Sequence, residues 1–392
     1  MEIRQLRQDE YEASVELSEY AFQYQLSAEE KETRKKRFKP EQYWGVFEEG
    51  ALQAKLTLIP FQVHMQGRVV EMGGIAGVAT WPENRRKGHV AALLKHALET
   101  MKNQGQTISF LHPFSIPFYR KFGWELFTDF KKYNITADKF PSKKAVSGKI
   151  VRGVTDISVY NSLYNSFAKG YNGTLVRDED WWENSVFDSS LFRAVYYTAD
   201  DEPQGYVLYK IKDKELICDE FIFMNEEARS ALWTFFANHD SRIDQVKLIM
   251  VPSDDLLPFM LPNPYIIQET VPYFMARIVD VQSFIKQYTF TGKRDSEVRL
   301  TILVNDPTAP WNEGCWNLTV DEAGRADLIK LSIEEETAPQ LALDIQALTA
   351  LLMGYKRPRE LAQMDCLHGE ALIIDLFESI IPYEKTWLLD HF

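Results

Sequence analysis

The sequence predicts a mixed α/β and α+β chain in three units, and three observations carry that expectation. A β-tolerant run at residues 73–80 stops at Trp81-Pro82 and passes through a basic, glycine-containing loop into a strongly amphipathic helix. A weaker succession of the same order (helix, strands, helix, strand) returns between residues 157 and 251. From Val281 the pattern changes to alternating strands followed by helices. A length of 392 residues fits two to three domains, and 45% hydrophobic residues suffice for sizeable cores.

Residues 9–40 read as helical, with a charge-rich stretch at 29–39 that either lids a cleft or forms a solvated helix face. Residues 43–60 and 61–72 read as strands with hairpin turns at Glu49-Gly50 and Gln66-Gly67. They feed the strand at 73–80. The helix beyond the loop carries Val90, Leu93, Leu94, Ala97, Leu98 and Met101 on one face. A strand at 108–112, the turn Pro113-Phe114-Ser115 and a short helix at 117–122 stopped by Gly123 come next. Strands near 124–127 and 131–136 close the first unit, and 141–148 reads as a linker.

In the middle unit the pattern predicts helices near 157–168 and 226–238 and strands near 192–198, 205–212, 215–224 and 246–251. Trp181-Trp182 and the apolar 221–223 read as core rather than ligand contacts. In the last unit, strands at 299–304, 316–320 and 327–332 precede amphipathic helices at 341–353 and 370–379.

A net charge of −13 argues against nucleic acid and anionic membranes as partners and favours cationic small molecules, although excess acid also keeps soluble proteins dispersed. The first residues lack an apolar signal core and no run approaches transmembrane length, so a cytoplasmic location is expected. Cys218, Cys315 and Cys366 are widely separated and lack metal spacing, and no metal site, nucleotide P-loop or nucleophile elbow is expected.

The chemistry concentrates between Val78 and Glu125. A loop that feeds a helix start leaves backbone N–H groups without partners, and with the helix dipole these favour a phosphate. Gly88 permits close approach, while Arg85, Arg86 and Lys87 add charge of the right sign; the alternative is an ordinary solvated basic loop. Tyr119 could protonate a leaving group without itself being charged at neutral pH, or it could belong with Phe118, Phe122 and Trp124 to a packed aromatic cluster. No obvious base lies nearby, since His89 and His112 sit where structural histidines are common.

The Arg85-Arg86-Lys87-Gly88 loop resembles the coenzyme A loop of the GCN5-related N-acetyltransferase (GNAT) superfamily, and Phe118-Tyr119-Arg120-Lys121-Phe122-Gly123-Trp124 is similar to its aromatic segment. The length, the three-part organisation and the terminal Phe392 resemble the Eis (enhanced intracellular survival) family more narrowly. Val90 stands where the superfamily usually has Gly or Ala, a departure that Eis-like members share. The resemblance implies tandem GNAT-like domains, a catalytic one at 1–148 and a degenerate one at 149–280, then a sterol-carrier-like domain at 281–392.

The resemblance also implies acetyl-coenzyme A as co-substrate. Its pantetheine arm would lie on Val78, Ala79 and Thr80, its pyrophosphate on Arg86, Lys87, Gly88, His89, Val90 and Ala91, and its thioester near Phe114 and Ser115. Tyr119 would be the general acid and the Phe392 carboxylate the general base, delivered into the first domain by an apolar terminus. The implied acceptor is a primary amine of a cationic small molecule, aminoglycoside- or polyamine-like, and the implied assembly a homo-oligomer up to a hexamer. Two departures bear on the acceptor: Tyr24 and His391 stand where some relatives carry acids. The alternatives are a lysine or peptide N-acetyltransferase and a non-catalytic acyl-coenzyme A or lipid-binding regulator.

Overall fold

The computed structural model describes residues 1–293, 296–332 and 338–392. The first stretch of chain forms β1 (Glu2–Gln5), α1 (Tyr11–Phe22), α2 (Ala28–Lys36), β2 (Tyr43–Glu48), β3 (Ala51–Met65), β4 (Arg68–Thr80), α3 (His89–Asn103), β5 (Ile108–Leu111), α4 (Ile116–Arg120), β6 (Glu125–Leu126) and β7 (Asp129–Thr136). Helices α1 and α2 are separate because Gln23 turns left-handed at φ +56° and Ser27 starts α2 with a capping box to Glu30. Both hairpins form as expected, with Glu49-Gly50 and Gln66-Gly67 each holding two successive positive φ values. Strand β3 runs unbroken through Pro60, contrary to the expected break. Its pairing with β2 ends at Thr57, so the missing proline N–H falls where one side of β3 has no β2 neighbour.

The middle of the chain forms β8 (Lys149–Arg152), α5 (Ile157–Ala168), α6 (Glu179–Trp181), β9 (Phe192–Tyr197), β10 (Pro203–Lys212), β11 (Glu215–Phe223), α7 (Glu226–Ala237), β12 (Gln245–Pro252), α8 (Leu257–Met260), β13 (Ile267–Pro272) and β14 (Met275–Ile278). The first sheet has the order β1-β2-β3-β4-β5-β14-β6 and the second β13-β7-β12-β11-β10-β9-β8. The two sheets therefore exchange strands and do not divide at residue 148. Strand β7 pairs with β12 and β13, while β14 returns between β5 and β6.

The last unit contains α9 (Val281–Gln287), β15 (Val298–Asn305), β16 (Gly314–Val320), β17 (Ala326–Lys330), β18 (Leu341–Asp344), α10 (Ile345–Met353), α11 (Pro358–Gln363), β19 (Leu367–Gly369) and α12 (Ala371–Ile380), with sheet order β17-β16-β15-β18-β19. The expected helix at 341–353 is corrected at its start. Leu341 to Asp344 pair in parallel with β15, and Asp344 caps α10 by accepting from the Ala347 N–H at 2.7 Å. An apolar run of this length fits either element until a strand partner decides it.

The first sheet lies between two layers. Leu56, Leu58 and Ile75 share a core with Leu93, Leu94 and Leu98 of α3, while Val63, Ile108 and Phe110 share another with Leu348 and Leu352 of the last unit. The interior gap within the last unit measures only about 10 Å³. One fully buried ion pair ties it to the first sheet: Arg277 of β14 donates through Nη2 to both Asp306 oxygens at 2.8 and 2.7 Å and also bonds the Phe122 carbonyl. Asp306→Ala should lower unfolding stability by ~3–5 kcal/mol, because it strands a buried guanidinium; urea unfolding with a loss below about 1 kcal/mol would refute this role for the pair.

Candidate active site

Strands β4 and β5 run parallel only over residues 72–75 beside 108–111. Beyond Ile75, β4 carries a bulge against β3, between Lys55 and Thr57, and leads away as β5 ends. Residues 76–80 thus have β3 on one side and no β5 partner on the other. Backbone groups released in this way need another partner. A cleft of about 670 Å³ opens beside them, lined by Val78, Ala79, Thr80, Arg86, Gly88, His89, Val90, Ala91 and Phe114 of the expected set. Ala21, Phe22, Asn84, Arg85 and Phe118 complete the wall. Helix α1 is held over the sheet by buried Lys55, whose ammonium donates to the Ser14 carbonyl at 2.5 Å and hydroxyl at 2.7 Å. Burial brings this ammonium down to about 7.

The start of α3 suits an anion. Gly88 is its N-cap at φ +85° with no side-chain cap, and the Ala92 N–H reaches the Gly88 carbonyl at 3.0 Å. Helix geometry leaves the N–H groups of His89, Val90 and Ala91 ahead of that bond, on residues that line the cleft. A Cβ at Gly88 would meet nothing within 4 Å, so its conformation rather than crowding calls for glycine. Arg86 is also left-handed, at φ +65°. Lys87 departs from expectation: its ammonium turns back to Asn84 Oδ1 at 2.7 Å and is not among the lining groups. The His89 ring is buried and its Nε2 lies 3.2 Å from Glu48 Oε1, which pins the helix start to β2.

Ser115 caps α4 and accepts the Tyr119 N–H at 3.3 Å through its carbonyl, outside the lining of the cleft. Tyr119 is 2% exposed and stands edge-on to Phe114 and Phe118, each with centroids 5.2 Å away. Both of these rings line the main cleft. Burial pushes its phenol well above the ordinary value of 10, so it stays protonated across the neutral range.

The end of the chain is docked. Trp387, Leu388, Leu389 and Asp390 are buried. Asp390 accepts from Arg177 Nε and Trp181 Nε1, both at 2.8 Å, and from the Tyr164 hydroxyl at 3.2 Å. Arg177 reaches Glu220 at 2.8 Å through Nη2, and Tyr206 donates to Glu220 at 2.6 Å. The Phe392 ring packs on Phe61 and Phe274, with centroids 4.7 and 4.9 Å away. It also lies over Gly74, where a Cβ would come within 2.8 Å of it. Phe392 therefore sits on β4 one residue before β4 leaves β5. The Arg177–Glu220–Asp390 cluster escaped the sequence reading, because its members lie 43 and 213 residues apart and carry no local pattern. Trp182 is buried core as expected, whereas Trp181 is a donor to the chain end.

Comparison with known proteins agrees with this geometry. Residues 2–127 and 173–278 each match an acetyltransferase (GNAT) domain, and residues 281–389 a sterol carrier protein domain. An N-acetyltransferase of Streptomyces griseus is 23% identical over 350 residues, covering 81% of this chain and 82% of its own. N-acetyltransferase Eis of Mycobacterium tuberculosis is 23% identical over 221 residues, 52% of this chain and 53% of its own. A GCN5-related N-acetyltransferase from Anabaena variabilis superposes with TM-score 0.87 at 25% identity, covering both chains completely. Eis1 from Mycobacterium abscessus shares the fold at TM-score 0.83 and 19% identity, over 100% of each chain. The chain is an N-acetyltransferase of the GNAT class. Within that class it is Eis-like, with tandem GNAT domains followed by a sterol-carrier domain.

The rings of His112 and His391 lie 4.7 Å apart, and burial holds both below the ordinary 6.5, His112 also through its neighbour's charge. The unfolded chain takes up protons near 6.5 while the folded chain resists them, so stability should fall as pH drops through and below 6.5. Urea unfolding at about pH 7.5 and pH 5.5 checks this, and His391→Gln should shrink the difference; an unchanged difference would clear the pair of that role.

Proposed function

We propose that the protein transfers acetyl from acetyl-coenzyme A to primary amines of cationic small molecules, aminoglycoside- or polyamine-like, at several positions of one acceptor. What supports this reading is the surroundings of the fork between β4 and β5: the uncapped start of α3 shares a cleft with Val78, Ala79 and Thr80, Tyr119 shares a core with Ile75 and Leu111, and the Phe392 ring lies over Gly74. Acetyl-coenzyme A supplies an activated thioester. In this reading the backbone of Val78, Ala79 and Thr80 receives its pantetheine arm. Arg86 and the N–H groups of Gly88, His89, Val90 and Ala91 hold the pyrophosphate. Phe114 and Ser115 border the thioester. Lys87 supports the loop through Asn84.

The Phe392 carboxylate takes the proton that the ammonium must lose before attack, and the Tyr119 hydroxyl gives a proton to the departing sulfur. Acceptor chemistry is supported by a cavity of about 290 Å³ beside the chain end, bordered by Trp181, Tyr273 and His391. Asp219, Glu220 and Asp390 line it against a single guanidinium, Arg177, a balance that favours cations. The assembly belongs to the same proposal as a homo-oligomer, up to a hexamer, and light scattering of the purified protein measures it.

Tyr119→Phe should lower kcat by about 10²-fold while coenzyme A binding persists, and near-normal turnover would remove Tyr119 as the acid. Deleting Phe392 should depress kcat far more than it shifts thermal unfolding; full activity in the shortened chain would eliminate the carboxylate as base. Mass spectrometry of products from aminoglycosides, polyamines and lysine peptides then decides the acceptor. Multiple acetyl additions to an aminoglycoside support the reading, exclusive modification of peptides replaces it with lysine acetylation, and coenzyme binding without any product replaces it with a regulator.

A further inference from the structure

The second GNAT unit repeats the fork. Strands β11 and β12 pair in parallel over residues 215–218 beside 245–248 and then separate, as β4 and β5 do. A cavity of about 450 Å³ opens between them. It is bordered by α7 where the first cleft has α3, by α8 where the first has α4, and by Phe167 of α5 and Tyr171 just beyond its end, where the first has Ala21 and Phe22 of α1. The same backbone device has made two cavities.

Their chemistry differs. The anion features of the first are missing at α7, because Asn225 caps the helix itself, its Oδ1 accepting the Ala228 N–H at 2.9 Å. Glu226 and Glu227 occupy the first turn and would repel a pyrophosphate. The walls are instead aromatic and apolar, with Phe221, Phe223, Trp233, Met250 and Met260. Four carboxylates line the cavity, and two are matched: Asp254 by Lys385 at 2.7 Å and Glu226 by Arg229 at 2.7 Å. Asp255 accepts the Leu257 N–H at 2.8 Å. Among the described residues Asp219 is paired only with Lys210 at 4.0 Å, and its Oδ1 is buried with no partner there. Arg229, with a side chain only 9% exposed, leaves Nη1 buried on the same wall and without an acceptor among the described residues. An apolar chamber with an undermatched carboxylate and an unpartnered donor is complementary to a ligand carrying both a cation and an oxygen.

We propose that the fork between β11 and β12 is a second ligand site, which takes a small hydrophobic amine bearing a hydroxyl or carbonyl oxygen. The ring or aliphatic body lies against Phe221, Phe223 and Trp233, the ammonium at Asp219, and the oxygen at Arg229 Nη1. Asp219, Ile249 and Met250 also line the cavity beside the chain end, so an occupant of this site shares a wall with that cavity. The site binds its ligand without coenzyme A and stands independently of the catalytic proposal above.

Tyramine is the probe, titrated calorimetrically into the full-length protein freed of coenzyme A. Saturable binding is expected, unaffected by saturating coenzyme A. Asp219→Asn should weaken it by about tenfold or more, the scale of a charge-assisted hydrogen bond. Met260→Trp, at a position exposed enough to accept the larger ring and lining this cavity but neither the coenzyme cleft nor the cavity beside the chain end, should abolish it. 4-Ethylphenol, which lacks the amine, should bind at least about tenfold more weakly. The proposal is overturned if tyramine does not bind up to about millimolar concentration, if coenzyme A displaces it, if neither variant changes its affinity, or if 4-ethylphenol binds as well.

Discussion

Parallel strands that part leave backbone donors and acceptors which a sheet can no longer satisfy, and much of this molecule is organised around two such partings. In the first unit, β4 bulges against β3 and leaves β5 after four paired residues. The released edge, the uncapped start of α3 and the aromatic α4 then surround one cleft. In the second unit, β11 and β12 part after four paired residues as well. There the helix start is closed by its own asparagine and the cavity is aromatic. A single architecture thus supports an anion cradle in one place and its chemical opposite in the other, and side chains at the helix start decide between them.

Buried charge holds these parts in register. Burying a guanidinium is costly unless good geometry and further hydrogen bonds compensate, and Arg177 and Arg277 have partners of that kind. Arg177 joins Glu220 of the second sheet to Asp390 near the chain end, with Trp181, Tyr164 and Tyr206 filling remaining hydrogen-bonding positions. Arg277 joins the first sheet to Asp306 of the last unit. A residue two places from Asp390 has little freedom to wander. Phe392 is accordingly found on Gly74, at the root of the first fork.

Local patterns carried much of the architecture. The turns at Glu49-Gly50 and Gln66-Gly67, the apolar face of α3 and helix α5 follow from periodicity and turn chemistry that act over a few residues. So does the basic loop at Gly88, since a glycine between a strand end and an amphipathic helix is a local signal. The exceptions share a cause. Pro60 continues β3 because β2 happens to stop short of it, and residues 341–344 are a strand because β15 lies alongside. Lys87 turns from the cleft because Asn84 is in reach.

The sequence by itself therefore determined the two hairpins and α3 of the first unit, the phosphate-suited loop, the phenol at Tyr119 and an apolar chain end, all of which are written in residue type and short spacing. Tertiary structure alone decided the exchange of β7 and β14 between sheets, the burial of Arg177 between two distant carboxylates, and the cavity that opens where β11 leaves β12. Strand partners and ion-pair partners are chosen across tens to hundreds of residues, by which backbone edges and charges remain unsatisfied once the layers have packed. No local pattern records that choice.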